Sequence, residues 1–209
     1  IVMKLILASD LSFLLKHGYA LTGISKEDMR IAYVTTASSV ARTQNFFVDV
    51  KNKIAENGYN FEEIDIAGKT KDEMLNFFAD KNIIHVEGGN TFHLLKVIRE
   101  TGFADILKQL LNDGKVYIGT SAGAYIMCPT IEVANWNEDG KDRFGVTDFT
   151  ALNYVPFILK VHYTDEQENK VREKLAMAKY PLRILRDEQG ILVEDSKYTF
   201  IGGEEVIIK

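Results

Sequence analysis

Cysteine, clustered basic charge and long apolar runs are all scarce in this sequence of 209 residues, and each shortage excludes a class of protein. The one cysteine, Cys128, allows no intrachain disulfide, and a disulfide-poor chain is typical of the reducing cytoplasm, where we expect this protein. With a net charge of −5 and no basic patch, the chain lacks an electrostatic basis for binding nucleic acid or an anionic membrane surface. No apolar run approaches the about 20 residues of a membrane span.

The first apolar run, Ile1–Leu7, is too short for the core of a signal peptide and has the wrong flanks, so we expect a buried first strand there. Hydrophobic residues make up 46% of the chain and charged residues 26%, which is ordinary globular composition with enough apolar mass for a core. The expected organisation is a single domain over residues 1–209.

Short apolar runs alternate with amphipathic stretches, which favours parallel strands connected by helices. The runs are rich in Ile and Val and do not alternate with polar residues, as expected for strands buried on both faces. The predicted fold class is α/β, with a doubly wound, mainly parallel sheet and antiparallel strands near the C-terminus. The parallel strands are predicted at Lys4–Ala8, Ile31–Thr36, Phe61–Ile66, Ile83–Val86 and Val116–Ile118, and the antiparallel strands at Gly190–Glu194, Lys197–Gly202 and Val206–Ile208.

The predicted helices carry clear local signals. One has an apolar face and ends at Gly58, where a left-handed residue is wanted, and another opens with a capping box over Thr70–Glu73. Two more are predicted at Thr91–Glu100 and Ala104–Asn112. The apolar face of the helix before Gly58 consists of Phe46, Phe47, Val50 and Ile54.

The strongest chemical signal is Gly119-x-Ser121-x-Gly123, directly after a predicted strand and before a helical stretch. In a nucleophile elbow, a serine occupies a sharp strand-to-helix turn between small residues, and its hydroxyl is lifted out of the sheet. The helix N-terminus and the next backbone N–H then favour a developing oxyanion. The alternative is a tight turn in which the glycines serve packing alone.

A second glycine-rich turn, Glu87–Asn90, follows the fourth predicted strand. In a parallel sheet it opens at the same edge as Ser121, so the N–H groups of Gly89 and Ala122 could complete one oxyanion hole. Phosphate binding is a weaker interpretation, because neither the Rossmann nor the P-loop spacing is present. A plain turn between strand and helix is the other alternative.

Among the four histidines, His162 is the candidate general base, because it ends an apolar run downstream of the elbow. His85 lies inside a predicted strand and is expected to be a core residue. His17 and His93 are expected near a helix end and within a helix, respectively.

Four motifs in this order resemble the peptidase E (S51) family of serine peptidases, which are aspartyl dipeptidases: Val86–Phe92, Tyr117–Ala124, Cys128–Ile131 and Pro156–Tyr163. The resemblance implies that Ser121 is the nucleophile, His162 the general base and Gly89 an oxyanion donor. It also implies a fold like that of class I glutamine amidotransferases, whose elbow carries cysteine where this chain has Ser121. We expect a small peptide as substrate and neither cofactor nor metal, because backbone N–H groups hold the oxyanion; a homodimer is left open.

The sequence departs from the family at two positions. Trp136 occupies the position of the family's acidic triad member, so we expect another partner for His162, either a backbone carbonyl, a water or one of the nearby carboxylates of Glu132, Glu138, Asp139 and Asp142. The segment after His162 is rich in carboxylates and has no arginine before Arg172, so we expect no strict preference for aspartate. Arg172, Arg42 and Arg143 are the alternative cations for such a pocket.

These departures leave three functions open. The leading one is a small exopeptidase or dipeptidase. The others are a cyanophycinase-like or ester-cleaving hydrolase, and a catalytically weak binding homologue that kept the fold.

Overall fold

A seven-stranded sheet forms the centre of the computed structural model, which describes residues 2–136 and 142–208. A separate pair of strands forms a small second sheet. The strands are β1 (Lys4–Ala8), β2 (Ile31–Val34), β3 (Phe61–Ile64), β4 (Ile83–Val86), β5 (Val116–Thr120), β6 (Ile158–Lys160), β7 (Leu182–Ile184), β8 (Gly190–Glu194) and β9 (Lys197–Ile201).

The central sheet has the order β3-β2-β4-β5-β1-β8-β9. The first five strands in this order are parallel, whereas β8 is antiparallel to β1 and β9 is antiparallel to β8. This confirms the predicted mainly parallel α/β sheet with antiparallel strands near the C-terminus. The predicted strand at Val206–Ile208 is wrong, since Val206 forms only an isolated bridge to Ile184.

Helices pack on both faces of the sheet. Successive residues of a strand point to opposite faces, and Leu5 and Leu7 accordingly belong to one core cluster while Ile6 and Ala8 belong to another. The α-helices are α1 (Leu11–Phe13), α2 (Tyr19–Leu21), α3 (Thr36–Ser39), α4 (Gln44–Glu56), α5 (Lys71–Phe78), α6 (Thr91–Thr101), α7 (Phe103–Asn112), α8 (Ala122–Tyr125) and α9 (Glu168–Leu175). None in the described part of the chain is long and apolar enough to cross a bilayer.

The first core cluster contains the buried side chains of α5, α6, α7 and α8, and the second contains Phe13, Leu14, Tyr19 and Ile54. A π-helical turn, Leu14–Gly18, joins α1 to α2, and 3-10 turns cover Lys26–Asp28, Glu132–Trp136 and Asp165–Gln167. Both the Thr70 capping box and the left-handed Gly58 are present, as the sequence predicts.

The apolar face of α4 only partly joins the core. Ile54 is buried, but Phe47 and Val50 are half-buried and Phe46 is 60% exposed. The predicted helix is therefore confirmed, but most of its apolar face lines a cavity, described below, and does not pack into the core.

Candidate active site

Ser121 lies in a sharp turn between β5 and α8. Its backbone has φ +51°, an unfavourable conformation for a residue with a side chain, and its N–H donates to the Ala8 carbonyl at 3.0 Å. A Cβ on Gly119 would overlap the Gly123 carbonyl, and a Cβ on Gly123 would overlap the Val86 carbonyl. The turn therefore needs glycine at both flanking positions because the backbones touch there.

The imidazole of His162 lies beside the Ser121 hydroxyl. His162 follows β6, its backbone has φ +52°, and its Nε2 is 3.1 Å from Ser121 Oγ. Its Nδ1 is 2.6 Å from Oδ1 of Asp187. A carboxylate can only accept, so Nδ1 carries the proton and Nε2 is left to accept the serine proton. Ser121, His162 and Asp187 thus form one continuous hydrogen-bonded series.

The partner of His162 is a residue that the sequence analysis missed. Asp187 lies in the turn between β7 and β8, and β7 pairs in parallel with β6, so both strands end at the same edge. The register places Lys160 opposite Ile184, which brings the residues that follow each strand together. The sequence offers one signal for Asp187, an acidic residue in a turn shortly after a strand. That signal points to the site only when the pairing of β7 with β6 is known.

Ser9 forms hydrogen bonds to both His162 and Asp187. Its hydroxyl accepts a hydrogen bond from the backbone N–H of His162 at 2.9 Å and donates to Oδ1 of Asp187 at 3.1 Å. The Ser9 backbone N–H donates to the carbonyl of Gln189 at 3.0 Å. Since Ser9 is fully buried at the end of β1, it ties the histidine and the carboxylate to the central sheet.

The segment expected to supply the acid does not contact His162 in its described residues. Oδ1 of Asp142 accepts from the N–H of Phe144, and burial raises the pKa of Glu132, whose Oε1 has no hydrogen-bond partner among the described residues. Trp136 is buried in the core. The expectations for Glu138 and Asp139 lie outside the described residues.

The Gly88-Gly89 turn packs directly against the serine. Gly89 has φ +136°, and a Cβ on Gly88 would lie 3.3 Å from the Cβ of Ser121. The next residue, Asn90, is fixed by its N–H bond to the Ala37 carbonyl at 2.8 Å, and its side chain caps α6. The N–H groups of Gly89 and Ala122 have no protein acceptor within residues 2–136 and 142–208, so both are available to a ligand.

Two buried ionisable groups lie beneath the turn. Glu87 accepts hydrogen bonds from the Tyr33 hydroxyl at 2.6 Å and from the Ser38 hydroxyl, and burial raises its pKa to about 7. His85 contacts Thr120 Oγ1 at 2.8 Å and the Tyr19 hydroxyl at 3.3 Å, and burial lowers its pKa to about 3. His85 is thus the neutral core residue that the sequence indicates.

The sequence relationship agrees with the geometry. The model of Peptidase family S51 matches residues 14–208. The chain belongs to peptidase family S51. It is therefore a peptidase, and so a hydrolase.

Three relatives of this S51 peptidase show how far the similarity extends. An uncharacterized peptidase of Pasteurella multocida is 32% identical over 173 residues, covering 81% of this chain and 83% of that protein. An uncharacterized peptidase of Listeria monocytogenes is 32% identical over 180 residues, covering 86% and 85%. Peptidase E of a Nostoc species is 27% identical over 189 residues, covering 86% of this chain and 75% of that protein.

Two solved structures share the fold. A Listeria monocytogenes protein solved as a candidate peptidase E superposes with a TM-score of 0.81 at 24% identity, covering 98% of this chain and all of that one. A peptidase from an acI-B1 Actinobacterium gives a TM-score of 0.68 at 13% identity, covering 97% of this chain and 88% of the other. Both resemblances concern the fold alone.

A cavity of about 160 Å³ opens beside Ser121 in this S51 peptidase. No lysine or arginine is among the described residues that line it. The candidate cations are elsewhere: Arg172 pairs with Glu168 at 2.6 Å, Arg143 donates to the Val40 carbonyl, and Arg42 is exposed. The lining consists of Ser9, Asp10, Leu11, Tyr33, Phe46, Phe47, Val50, His85, Glu87, Gly88, Gly89, Thr120, Ser121 and His162.

Proposed function

We propose that this S51 peptidase is a serine exopeptidase acting on dipeptides or other small peptides, with Ser121 as nucleophile, His162 as general base and Asp187 as the residue that orients the imidazole. One observation carries the proposal: the unbroken hydrogen-bonded series from Ser121 Oγ through both nitrogens of His162 to Asp187. A base oriented by a third group beside a hydroxyl is the arrangement by which a serine becomes a nucleophile.

The chemistry follows from these contacts. Ser121 Oγ attacks the scissile carbonyl as Nε2 of His162 takes its proton, and the same nitrogen then gives that proton to the leaving amine. Water, activated by His162 in the same way, releases the acyl group and restores the serine. Asp187 keeps the proton on Nδ1 and offsets the positive charge that the imidazole gains in each transition state.

Backbone donors supply the place for the developing negative charge. The free N–H groups of Gly89 and Ala122 lie on the two turns that meet at Ser121, and we assign them to the oxyanion. The N-terminus of α8 adds a partial positive charge at the same point. This use of an elbow at a sheet edge supports the proposed likeness to the class I glutamine amidotransferase fold.

Asp187 also bears on the weaker alternative. The case for a catalytically weak binding homologue rests on Trp136, which stands where the family has its acidic triad member. With Asp187 at 2.6 Å from His162, the base has a carboxylate partner from another segment, which favours the enzyme.

The test is labelling by a fluorophosphonate together with hydrolysis of a dipeptide panel. We expect the wild type to be labelled and active, and Ser121→Ala to lose both properties. Ser196→Ala, in the exposed turn between β8 and β9, is the matched control and should retain both. Hydrolysis by Ser121→Ala at the wild-type rate would overturn the assignment of the nucleophile.

A further inference from the structure

One wall of the cavity beside Ser121 is apolar and comes mainly from α4. Phe46, Phe47 and Val50 of this helix line it together with Leu11. Phe46 is 60% exposed at this position and contacts Phe47 edge to face at 5.1 Å between ring centroids. Large apolar side chains that remain half-exposed beside a nucleophile form a surface that a substrate group can cover.

The polar side chains under the cavity are already engaged. Both carboxylate oxygens of Glu87 accept hydrogen bonds, from Tyr33 and Ser38. Asp10 accepts the backbone N–H groups of Phe13 and Glu188. Asp10 therefore contributes negative charge to the lining, and neither carboxyl group offers a cationic partner.

The cation nearest this wall lies outside the cavity and acts on Glu87 only through its charge. Lys51, on α4, forms an ion pair with Glu63 at 2.8 Å and does not line the cavity. An acidic substrate side chain placed here would lose water, meet apolar walls and gain no cationic partner from the described lining. An apolar side chain would lose only its contact with water.

The size of the cavity sets the size of the group. A volume of about 160 Å³ is close to that of cavities known to hold a benzene ring, on the order of 150 Å³. One side chain as large as that of leucine, methionine or phenylalanine fits this volume. The cavity is also lined by Gly88 and Gly89, beside the place assigned to the carbonyl oxygen, so the residue that carries this carbonyl is within reach.

We propose that this cavity receives the uncharged apolar side chain of the substrate residue whose carbonyl Ser121 attacks, so that peptides beginning with Leu, Met or Phe are preferred over peptides beginning with Asp. The inference rests on the proposed role of Ser121. It names the substrate class of that site: short peptides with an apolar first residue.

The deciding series is Leu-Leu, Asn-Leu and Asp-Leu, because the three first residues have nearly the same shape and the leaving group is constant. We expect kcat/KM to fall by at least about 100-fold from Leu-Leu to Asp-Leu, since a single misplaced methylene alone changes it by about 10- to 200-fold. The value for Asn-Leu should lie between them, because its amide is polar without charge.

A matched pair of valines on α4 tests the location. Val50 lines the cavity, whereas Val48 is 48% exposed and does not. We expect Val50→Ala to lower kcat/KM for Leu-Leu by about tenfold and to leave Ala-Leu nearly unchanged. Val50→Lys should reduce the difference in kcat/KM between Leu-Leu and Asp-Leu. Val48→Ala should not lower kcat/KM for Leu-Leu, and Val48→Lys should not change that difference.

Fluorophosphonate labelling separates failure of this inference from failure of the proposed function. A labelled enzyme that prefers Asp-Leu, or in which the Val48 and Val50 variants behave alike, overturns the assignment of the cavity and leaves the nucleophile standing. An enzyme that is neither labelled nor active on any of these peptides contradicts the proposed function, and the role of the cavity with it.

Discussion

The two ends of the candidate active site are built in different ways. At the serine end, Ser121 is held by residues within the same short turn and by contact between backbones, with Gly123 against Val86. At the imidazole end, His162, Asp187 and Ser9 come from three distant segments and are joined by side-chain hydrogen bonds. The first end is fixed by steric exclusion, the second by polar contacts that the solvent can reach.

Exposure follows the same division. The side chains of His162 and Asp187 are 49% and 61% exposed, whereas Glu87, beneath the Ser121 turn, is buried. Substitutions at the imidazole end should therefore change rate more than stability. Substitutions beneath the Ser121 turn should change stability and its dependence on pH.

The largest effect is expected from Asp187→Asn. Without the carboxylate, the proton on Nδ1 is no longer fixed and the charge on the imidazole is no longer offset. We expect kcat to fall by about 10⁴-fold, as when the acid of a serine triad is replaced by its amide. The melting temperature should change little, because Asp187 is mostly exposed. Steady-state kinetics and thermal unfolding measure the two quantities.

Glu188→Gln is the control for Asp187→Asn, since it removes the same charge from the neighbouring residue. Glu188 is exposed and its nearest cation is Lys16 at 3.6 Å, so kcat should remain close to that of the wild type. If Asp187→Asn lost less than tenfold in kcat, the hydrogen bond to His162 would not be the means by which the base is oriented.

Glu87→Gln is expected to change how stability depends on pH. Burial raises the pKa of Glu87 from 4.5 to about 7 in the folded state, with Tyr33, Ser38, Lys51 and Glu63 facing the carboxyl. Between these two values the folded state keeps a proton that the unfolded chain has lost. The free energy of unfolding should therefore decrease as the pH rises from about 4.5 to about 7, by up to roughly 3 kcal/mol.

This contribution should be absent from Glu87→Gln, so the difference in unfolding free energy between wild type and variant should vary over that pH range. Denaturant titrations at several pH values measure it. Glu56→Gln, on the exposed side of α4, is the control and should leave the pH dependence of the wild type intact. A constant difference between wild type and Glu87→Gln would show that this carboxyl does not titrate in the range.

The smallest effect is expected from Ser9→Ala. Asp187 and the N–H of His162 would each lose one hydrogen bond, although the direct bond between imidazole and carboxylate would remain. At about 1 kcal/mol for each net hydrogen bond, we expect kcat to fall by about 5- to 30-fold with KM nearly unchanged. Ser25→Ala, which removes a comparable serine–aspartate bond to Asp28 far from the site, should change neither constant. Equal loss in both variants would contradict the role of Ser9.

The elements that local signals define could be predicted from the sequence. Both β4 and the start of α6 at Thr91 have the predicted bounds, and the capping box of Thr70 and Glu73 is present. The proximity of Ser121 to the Gly88-Gly89 turn could also be predicted, because parallel strands present their carboxyl ends at one edge of the sheet. These features depend on residues close together in the chain or on one rule of topology.

The missed features depend on long-range pairing. Asp187 could not be assigned because β7 has only three residues and exists as a strand through its pairing with β6. The periodicity of α4 correctly indicates an apolar face, but periodicity does not say whether the core or a cavity covers it. For the same reason the sequence indicates a carboxylate from the polar segment after Ile131 as the partner of His162, whereas Asp187, in the turn after β7, is the partner in the structure.

Because β6 pairs in parallel with β7, the positions of His162 and Asp187 depend on the strand ends more than on the segment that connects the two strands. His162 and Asp187 are placed by the ends of two registered strands, and α9 lies in the crossover from one to the other. Changes on the exposed face of α9 should leave the distance between imidazole and carboxylate unaltered, whereas Asp165 ties the start of the crossover to Arg186, directly before Asp187, at 2.5 Å. The exposed face of this helix can therefore change in sequence while the contact between His162 and Asp187 is kept.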